Sequence, residues 1–178
     1  MQNSIFSSVL AALLAVCALT LGPWGTAIAD SDKLSSDTRK ELAQARQATA
    51  RYHNIANAIA DGYGDAAFIL PGVGCHLINL GLLDFVTDLT APELLIYSGN
   101  CDGAGTEKPV LRAVEYVIPC GAAGCPDTLV PEGFSGDKDV WEPFVDDMTP
   151  IYLWTLHAWI WRNNPDGIFV KFNPRIDD

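Results

Sequence analysis

The pattern of apolar and polar positions begins with a segment unlike the rest of the chain. Residues 9–21 form an almost unbroken apolar run, which Gly-Pro at positions 22–23 ends, and residues 1–29 carry no charged side chain. Ala-Ile-Ala at positions 27–29 has the small-x-small pattern that a signal peptidase accepts. The run is shorter than the roughly 20 residues that a membrane span requires. We therefore expect residues 1–29 to be a cleavable signal peptide; the alternative is a buried N-terminal helix, since no lysine or arginine precedes the run.

A helical period follows a short polar stretch. We expect residues 30–37 to be a flexible lead-in, after which Ser36 or Asp37 can cap a helix over residues 38–61. Apolar residues recur there at helical spacing and predict one buried stripe. The stripe consists of Tyr52, Ile55, Ala56, Ile59 and Tyr63.

Beyond the glycines at positions 72 and 74 the period changes to that of strands. Short runs rich in β-branched and aromatic residues predict strands over 75–80, 93–98, 111–118 and 152–161, with a short final strand over 168–172. Residues 121–150 are rich in Gly, Pro and Asp and predict a long irregular loop. One helix followed by strands without alternating helices indicates an α+β fold. We expect a single globular domain over 38–178, with one long N-terminal helix packed on an antiparallel β-sheet and long irregular loops.

The net negative charge of the chain argues against some classes of binding partner. The net charge of −11 falls entirely after residue 29, and such a surface repels a phosphate backbone unless a basic patch offsets it. The bases of the predicted helix are interleaved with Glu41 and are typical of a solvated face. We expect no nucleic-acid partner and no membrane span in the mature chain. A small-molecule partner is compatible with the sequence, and no pattern indicates an oligomeric state.

Four of the five cysteines lie after the predicted signal peptide. An even number of cysteines in an exported chain favours disulfides. Cys120 and Cys125 can close a small Gly-rich loop, which leaves Cys75 to pair with Cys101. The alternative is that the CGAAGC segment supplies two metal ligands, but no second pair of cysteines or histidines stands at the spacing of a zinc finger.

The candidate chemistry lies with the three histidines. Each falls in a predicted regular element: His53 in the helix, His76 in the first strand and His157 in the aromatic strand. Strand alternation places Glu115 on the face opposite Val114 and Tyr116, among aliphatic neighbours. A carboxylate buried there requires a partner, and a divalent metal is one such partner.

Three imidazoles and a carboxylate are a familiar ligand set for zinc, copper, iron or manganese, which the sequence does not distinguish. We therefore predict a mononuclear metal site of His53, His76, Glu115 and His157, either in a metal-binding protein or in a metalloenzyme of undefined reaction. Asp61, Tyr116 and Trp159 are predicted to orient or enclose these ligands. The alternative interpretation is that each histidine is an ordinary hydrogen-bonded core residue and that Glu115 pairs with an arginine or faces water.

The chain resembles a widespread group of exported bacterial proteins of unassigned function. The matching segments cover most of residues 50–174, and the most specific of them is the last. They are Tyr52-His53, Ala60-Asp61-Gly62-Tyr63, Gly74-Cys75-His76, Val114-Glu115-Tyr116, and the segment from Leu156 through Trp161, Asn164-Pro165 and Gly167 to Asn173-Pro174. The resemblance implies a shared fold and a shared site, but no activity. The four cysteines are not part of the common pattern.

A binding module without metal is the rival hypothesis. Aromatic residues crowd the C-terminal third, namely Trp141, Tyr152, Trp154, Trp159 and Trp161. Tryptophans exposed along a cleft would stack on sugars or on other small apolar ligands, whereas aromatics at strand spacing more often belong to a core. A hydrolase has little support, because the chain lacks the G-x-S-x-G motif and the disulfides leave no free thiol in the mature protein.

Overall fold

The helical layer begins at a serine cap. The computed structural model describes residues 33–64, 66–99, 101, 108–121, 124–145 and 151–176, so the predicted signal peptide lies outside the described residues. Helix α1 spans Ser36–Thr49, and the Ser35 hydroxyl accepts a hydrogen bond from the Thr38 backbone N–H at 2.9 Å. Because Ser35 is the cap, the predicted lead-in over residues 30–37 is two residues too long.

The single long helix predicted over residues 38–61 is interrupted. A 3-10 turn spans Ala50–His53, and helix α2 follows over Ile55–Ala60. Asn54 has an extended backbone and its side-chain oxygen accepts from the Ala56 N–H, so it caps a new helix. Because the helix is interrupted, Ala58 rather than Ile59 is buried, and Ile59 is 53% exposed. Ile59 therefore does not belong to a buried stripe, contrary to the prediction from the sequence.

Within the described residues, six antiparallel strands form one sheet in the order β1-β2-β3-β4-β6-β5. The strands are β1 Ala66–Leu70, β2 Gly74–Ile78, β3 Leu94–Ser98, β4 Val110–Pro119, β5 Trp141–Val145 and β6 Tyr152–Ala158. Single 3-10 turns span Leu80–Leu82 and Asp127–Leu129. The predicted antiparallel sheet is confirmed, and helices together with this sheet are consistent with the predicted α+β class. None of the described helices has the length and apolar character needed to cross a membrane.

Three strand predictions need correction. Strands β1 and β5 are the two edges of the sheet and were not predicted; β5 contains Pro143, which an edge strand tolerates because no ladder hydrogen bond is lost on its open side. The predicted final strand over 168–172 does not form. The strand predicted over 152–161 ends at Ala158, because the Trp159 N–H donates to Ile168 O, outside the ladder.

The sheet has two differently covered faces. The helices cover the first face, where Leu42, Ala45 and Ala58 join one buried cluster with residues of every strand from β2 to β4 and of β6. The strand members of this cluster are Cys75, Leu77, Leu95, Tyr97, Leu111, Val114, Tyr116, Leu156 and Ala158. Residues that alternate with them point to the second face, where Ile96 and Ala113 pack with Val73, Trp159 and Ile176.

Both predicted disulfides are present. Cys75 is bonded to Cys101 and Cys120 to Cys125, with Cα atoms 5.9 and 5.0 Å apart. The first joins β2 to the loop after β3, and the second closes the loop after β4. Two disulfides are typical of proteins that fold in an oxidising compartment, which agrees with the predicted export.

Candidate metal centre

Three of the four predicted ligands lie together on the second face of the sheet. Glu115 on β4 stands directly opposite His157 on β6. His76 lies on β2, separated from β4 by the single strand β3. Two strand spacings amount to about 10 Å, a gap that the side chains of His76 and Glu115 close from either side. The antiparallel register therefore brings together residues that are 39 and 42 positions apart in the sequence.

The spacing of the polar atoms fits a shared cation. Glu115 Oε2 lies 3.5 Å from His76 Nε2, and Glu115 Oε1 lies 3.6 Å from His157 Nε2. One ligand atom from each residue lies within 4.8 Å of the others. These distances exceed those of good N–H···O hydrogen bonds, about 2.7–3.2 Å. Two ligand atoms bound to a tetrahedral metal at 2.0–2.2 Å would be about 3.4 Å apart.

The group is deeply buried and its polar atoms are unpaired. The side chains of His76, Glu115 and His157 are 1%, 7% and 3% exposed. Within the described part of the chain, His157 Nε2, Glu115 Oε2 and the outer nitrogen of His76, Nδ1, make no hydrogen bond of good geometry. An unsatisfied buried polar group costs about 1–3 kcal/mol, and native proteins rarely leave several together. A metal ion would satisfy the atoms that face one another.

Burial shifts all three groups toward their neutral forms. Desolvation lowers the pKa of His76 to about 4, opposed in part by the backbone of Gly74 and Phe68. Desolvation, aided by the neighbouring His76, lowers the pKa of His157 to about 3. Desolvation also raises the pKa of Glu115 to about 8. At neutral pH both imidazoles therefore keep a free lone pair for a metal, whereas Glu115 must release a proton to bind one.

Two neighbours that the sequence analysis did not identify complete the surroundings. The Phe68 ring stacks on His76, with centroids 4.4 Å apart and planes 6° from parallel, and this contact restricts rotation of the imidazole. The positive charge of Lys171 acts on His76, Glu115 and His157 alike. Phe68 lies in the unpredicted strand β1. Lys171 belongs to no motif that the sequence analysis singled out for chemistry.

His53 does not belong to this group, and the prediction of four converging ligands is wrong in this respect. His53 is exposed, ends the 3-10 turn between the two helices, and packs edge-on against Trp161 with ring centroids 4.3 Å apart. The physical reason is the sheet itself. The helices cover its first face, whereas the other two histidines and Glu115 point to the second.

The three residues predicted to support the ligands have other partners. Asp61 pairs with Arg51 at 3.0 Å and accepts a hydrogen bond from the Tyr52 hydroxyl. Tyr116 points to the first face, where its hydroxyl donates to Leu89 O at 2.9 Å. Trp159 packs on the second face, but its indole N–H donates to Val170 O at 2.6 Å rather than to a ligand.

The tryptophans do not form the exposed row that the rival hypothesis requires. Trp154 and Trp159 are 4% and 2% exposed and cannot stack on a ligand from solvent. Trp161 points to the first face because the strand alternation ends at Ala158. Trp141 lines an open cavity of about 410 Å³ formed largely by residues 130–139.

Comparison of the chain with protein-family models, with curated proteins and with solved structures gives no match. The site is therefore interpreted from its own geometry.

Proposed function

We propose that this is an exported metal-binding protein with a mononuclear centre formed by His76, Glu115 and His157. The observation that carries the proposal is the convergence of three buried residues, each of which offers one ligand atom within 4.8 Å of the others; among the described residues Glu115 Oε2 and His157 Nε2 have no hydrogen-bond partner. The residues come from three strands that are distant in sequence. Nothing local forces them together, so their meeting on one face is a property of the whole sheet.

The donor set favours a divalent transition metal. Two imidazoles and one carboxylate bind zinc, copper, iron or manganese, and three protein ligands leave at least one coordination position for water or substrate. Structural zinc sites, by contrast, are closed by four protein ligands. A metal in such an open site can activate a bound water or polarise a bound ligand. The centre therefore suits a metalloenzyme, although no residue in it specifies a reaction.

Different residues would contribute in different ways to binding the ion. Glu115 supplies the negative charge and lies between the two histidines, within 3.6 Å of each. Phe68 holds the His76 ring by stacking. The buried setting removes competing water, which strengthens the attraction between the carboxylate and a cation.

The test is metal binding by the mature protein purified without a polyhistidine tag. We expect one equivalent of zinc or cobalt per chain by elemental analysis and equilibrium dialysis. His157→Ala and Glu115→Gln should weaken binding by at least about 100-fold, because each removes one of only three ligands.

His53→Ala is the matched control, since it removes the remaining histidine without touching the site. We expect it to bind metal like the wild type. A folded wild-type protein that takes up no metal, or a His53→Ala variant that loses as much affinity as His157→Ala, contradicts the proposal. Circular dichroism and disulfide mapping establish that each variant is folded.

A further inference from the structure

The chain beyond Trp161 forms no strand within the described residues; Phe169 packs in the first-face cluster, whereas the residues after it reach the second face. We call residues 168–176 the C-terminal segment. The Asn173 N–H donates to Gly72 O, the Trp159 N–H donates to Ile168 O, and Ile176 packs with Val73 and Ile96. The segment is therefore attached to the same face that carries the candidate metal centre.

Two buried amides hold this segment in one position. Asn164, 5% exposed, donates from its side-chain nitrogen to both Val170 O and Phe172 O, at 3.1 and 2.9 Å. Asn173, fully buried, accepts from the Arg175 N–H at 3.0 Å. These are the asparagines of the two Asn-Pro pairs in the closing sequence motif. Of the two, Asn164 bonds the backbone carbonyls on either side of Lys171.

Lys171 lies on this segment, and its positive charge acts on all three residues of the candidate metal centre. Its ammonium lies 3.9 Å from Glu142 Oε2. Glu142 stands opposite Thr155 across β5 and β6, and Thr155 shares the second face with His157, two residues further along β6. Glu142 and His157 therefore share the second face, and the side chains of Lys171 and Glu142 are 24% and 39% exposed, in contrast to the buried side chains of the candidate site.

The charges of the loaded centre would not balance without a further ligand. A divalent cation with one carboxylate and two neutral imidazoles leaves one positive charge. The Lys171–Glu142 pair adds no net charge, because its two charges cancel. An uncompensated buried charge is costly, and one monoanion in the open coordination position removes it. Lys171 makes that position more favourable for an anion than for a neutral ligand.

We propose that the open position of the centre is an anion site, and that its ligand or substrate is a small monoanion with oxygen donors. One oxygen would ligate the metal and a second would meet the ammonium of Lys171. This inference rests on the proposed function, because the anion requires the metal.

The experiment uses the full mature protein loaded with cobalt, whose visible absorption reports changes in coordination. Acetate and acetamide, which match in shape and differ in charge, are titrated into the wild type and into Lys171→Gln, Lys171→Arg and Lys138→Gln. Lys138 is the matched control, since it also lies 3.9 Å from a carboxylate, that of Asp137, and is 33% exposed.

We expect the wild type to bind acetate at least about tenfold more tightly than acetamide, a difference of about 1.4 kcal/mol. Lys171→Gln should lose most of that preference, Lys171→Arg should keep it, and Lys138→Gln should match the wild type. Lys171→Gln should also bind cobalt as tightly as the wild type or more tightly, because a cation near the metal has been removed. If Lys171 had a purely structural role, Lys171→Gln would instead weaken the binding of cobalt as well as the binding of acetate.

Three results overturn the inference while leaving the metal site intact. They are equal affinities for acetate and acetamide in the cobalt-loaded wild type, an unchanged preference in Lys171→Gln, and loss of cobalt in Lys171→Gln. A wild-type protein that takes up no cobalt overturns the proposed function and this inference with it. Cobalt stoichiometry, measured before the titration, separates the two failures.

Discussion

Buried polar side chains on the two faces of the sheet differ in their hydrogen bonding. On the helix-covered face the tyrosines are paired one by one with backbone carbonyls: Tyr63 with Pro92 O, Tyr97 with Tyr52 O and Tyr116 with Leu89 O. On the second face His76, Glu115 and His157 face one another at distances longer than good hydrogen bonds. The first face thus pairs these hydroxyls as a structural core does, although Trp141 Nε1, which belongs to a side chain packed on the same cluster, has no partner among the described residues. On the second face, Glu115 Oε2 and His157 Nε2 are buried without such a partner among the described residues.

Two buried carboxylates sharpen the contrast. Glu93 is 2% exposed, and its Oε2 accepts a hydrogen bond from the Val117 N–H at 2.9 Å. That bond opposes desolvation, and the pKa of Glu93 rises only to about 7. Glu115 has the two imidazoles at its oxygens, and its pKa rises further, to about 8. A carboxylate that serves the fold is provided with a backbone donor; Glu115 is left without an equivalent one.

The largest expected effect on stability comes from substituting Leu156, the neighbour of His157 on β6. Leu156 is fully buried on the first face, and Leu156→Ala should lower the free energy of unfolding by about 2–5 kcal/mol through the cavity it leaves. Urea denaturation in the presence of a chelator measures this loss. The folded fraction should still bind one metal per chain at 25 °C, unlike His157→Ala. A Leu156→Ala variant that is folded but binds no metal would break the division between the faces.

A smaller effect concerns pH. The folded-state pKa of Glu115, about 8, lies above its ordinary value, so the native state keeps a proton that the unfolded chain has already released. Metal-free protein should therefore lose stability as pH rises from 6.5 to 8, by roughly 2 kcal/mol at about 1.4 kcal/mol per pKa unit. Between pH 6.5 and 8 the two histidines oppose this trend only in part, by about 0.4 kcal/mol each, because burial lowers their pKa values to about 4 and 3 whereas half of the unfolded imidazoles are still protonated at pH 6.5.

Denaturation of metal-free wild type, Glu115→Gln and Glu93→Gln at several pH values checks this trend. Glu115→Gln should abolish most of it. Glu93→Gln should remove less than about 1 kcal/mol, since the pKa of Glu93 is only about 7. If the two substitutions changed the pH dependence of stability equally, the proposed difference between Glu115 and Glu93 would be wrong.

The smallest effect tests a paired hydroxyl on the first face. Tyr97 is fully buried and donates to Tyr52 O at 2.7 Å. Tyr97→Phe should cost about 1 kcal/mol of stability, the usual net value of one hydrogen bond. Metal affinity measured by dialysis should not change, because Tyr97 points away from the site. A tenfold loss of affinity would show that the two faces are coupled.

Part of the site was predictable because strand alternation is local. In β4 every second residue points the same way, so the separation of Glu115 from Val114 and Tyr116 could be read from the sequence. The disulfide pairing was predictable for a similar reason: the loop between Cys120 and Cys125 is short, and one pair remained. His53 was not excluded, because its helical position does not show which face of the sheet the helix covers.

The limits of local patterns are clearest where a strand ends. If the predicted strand continued to residue 161, alternation would put Trp161 on the same face as His157. Instead β6 stops at Ala158, and Trp161 packs against His53 on the first face. The edge strands β1 and β5 escaped prediction because their apolar runs are short and exposed on one side. Phe68 and Lys171 therefore became visible as neighbours of the site only in the folded chain.

The sequence by itself indicated the three candidate ligands together with His53, the direction of Glu115 from its strand, the disulfide pairing and the α+β class. These depend on residue type and on periods of a few residues. Only the tertiary structure decided that His76 meets Glu115 across β3, that His53 lies on the other side of the sheet, and that a pinned C-terminal segment carries Lys171 to the centre. Those contacts depend on strand order and register, which are set by the packing of the whole domain.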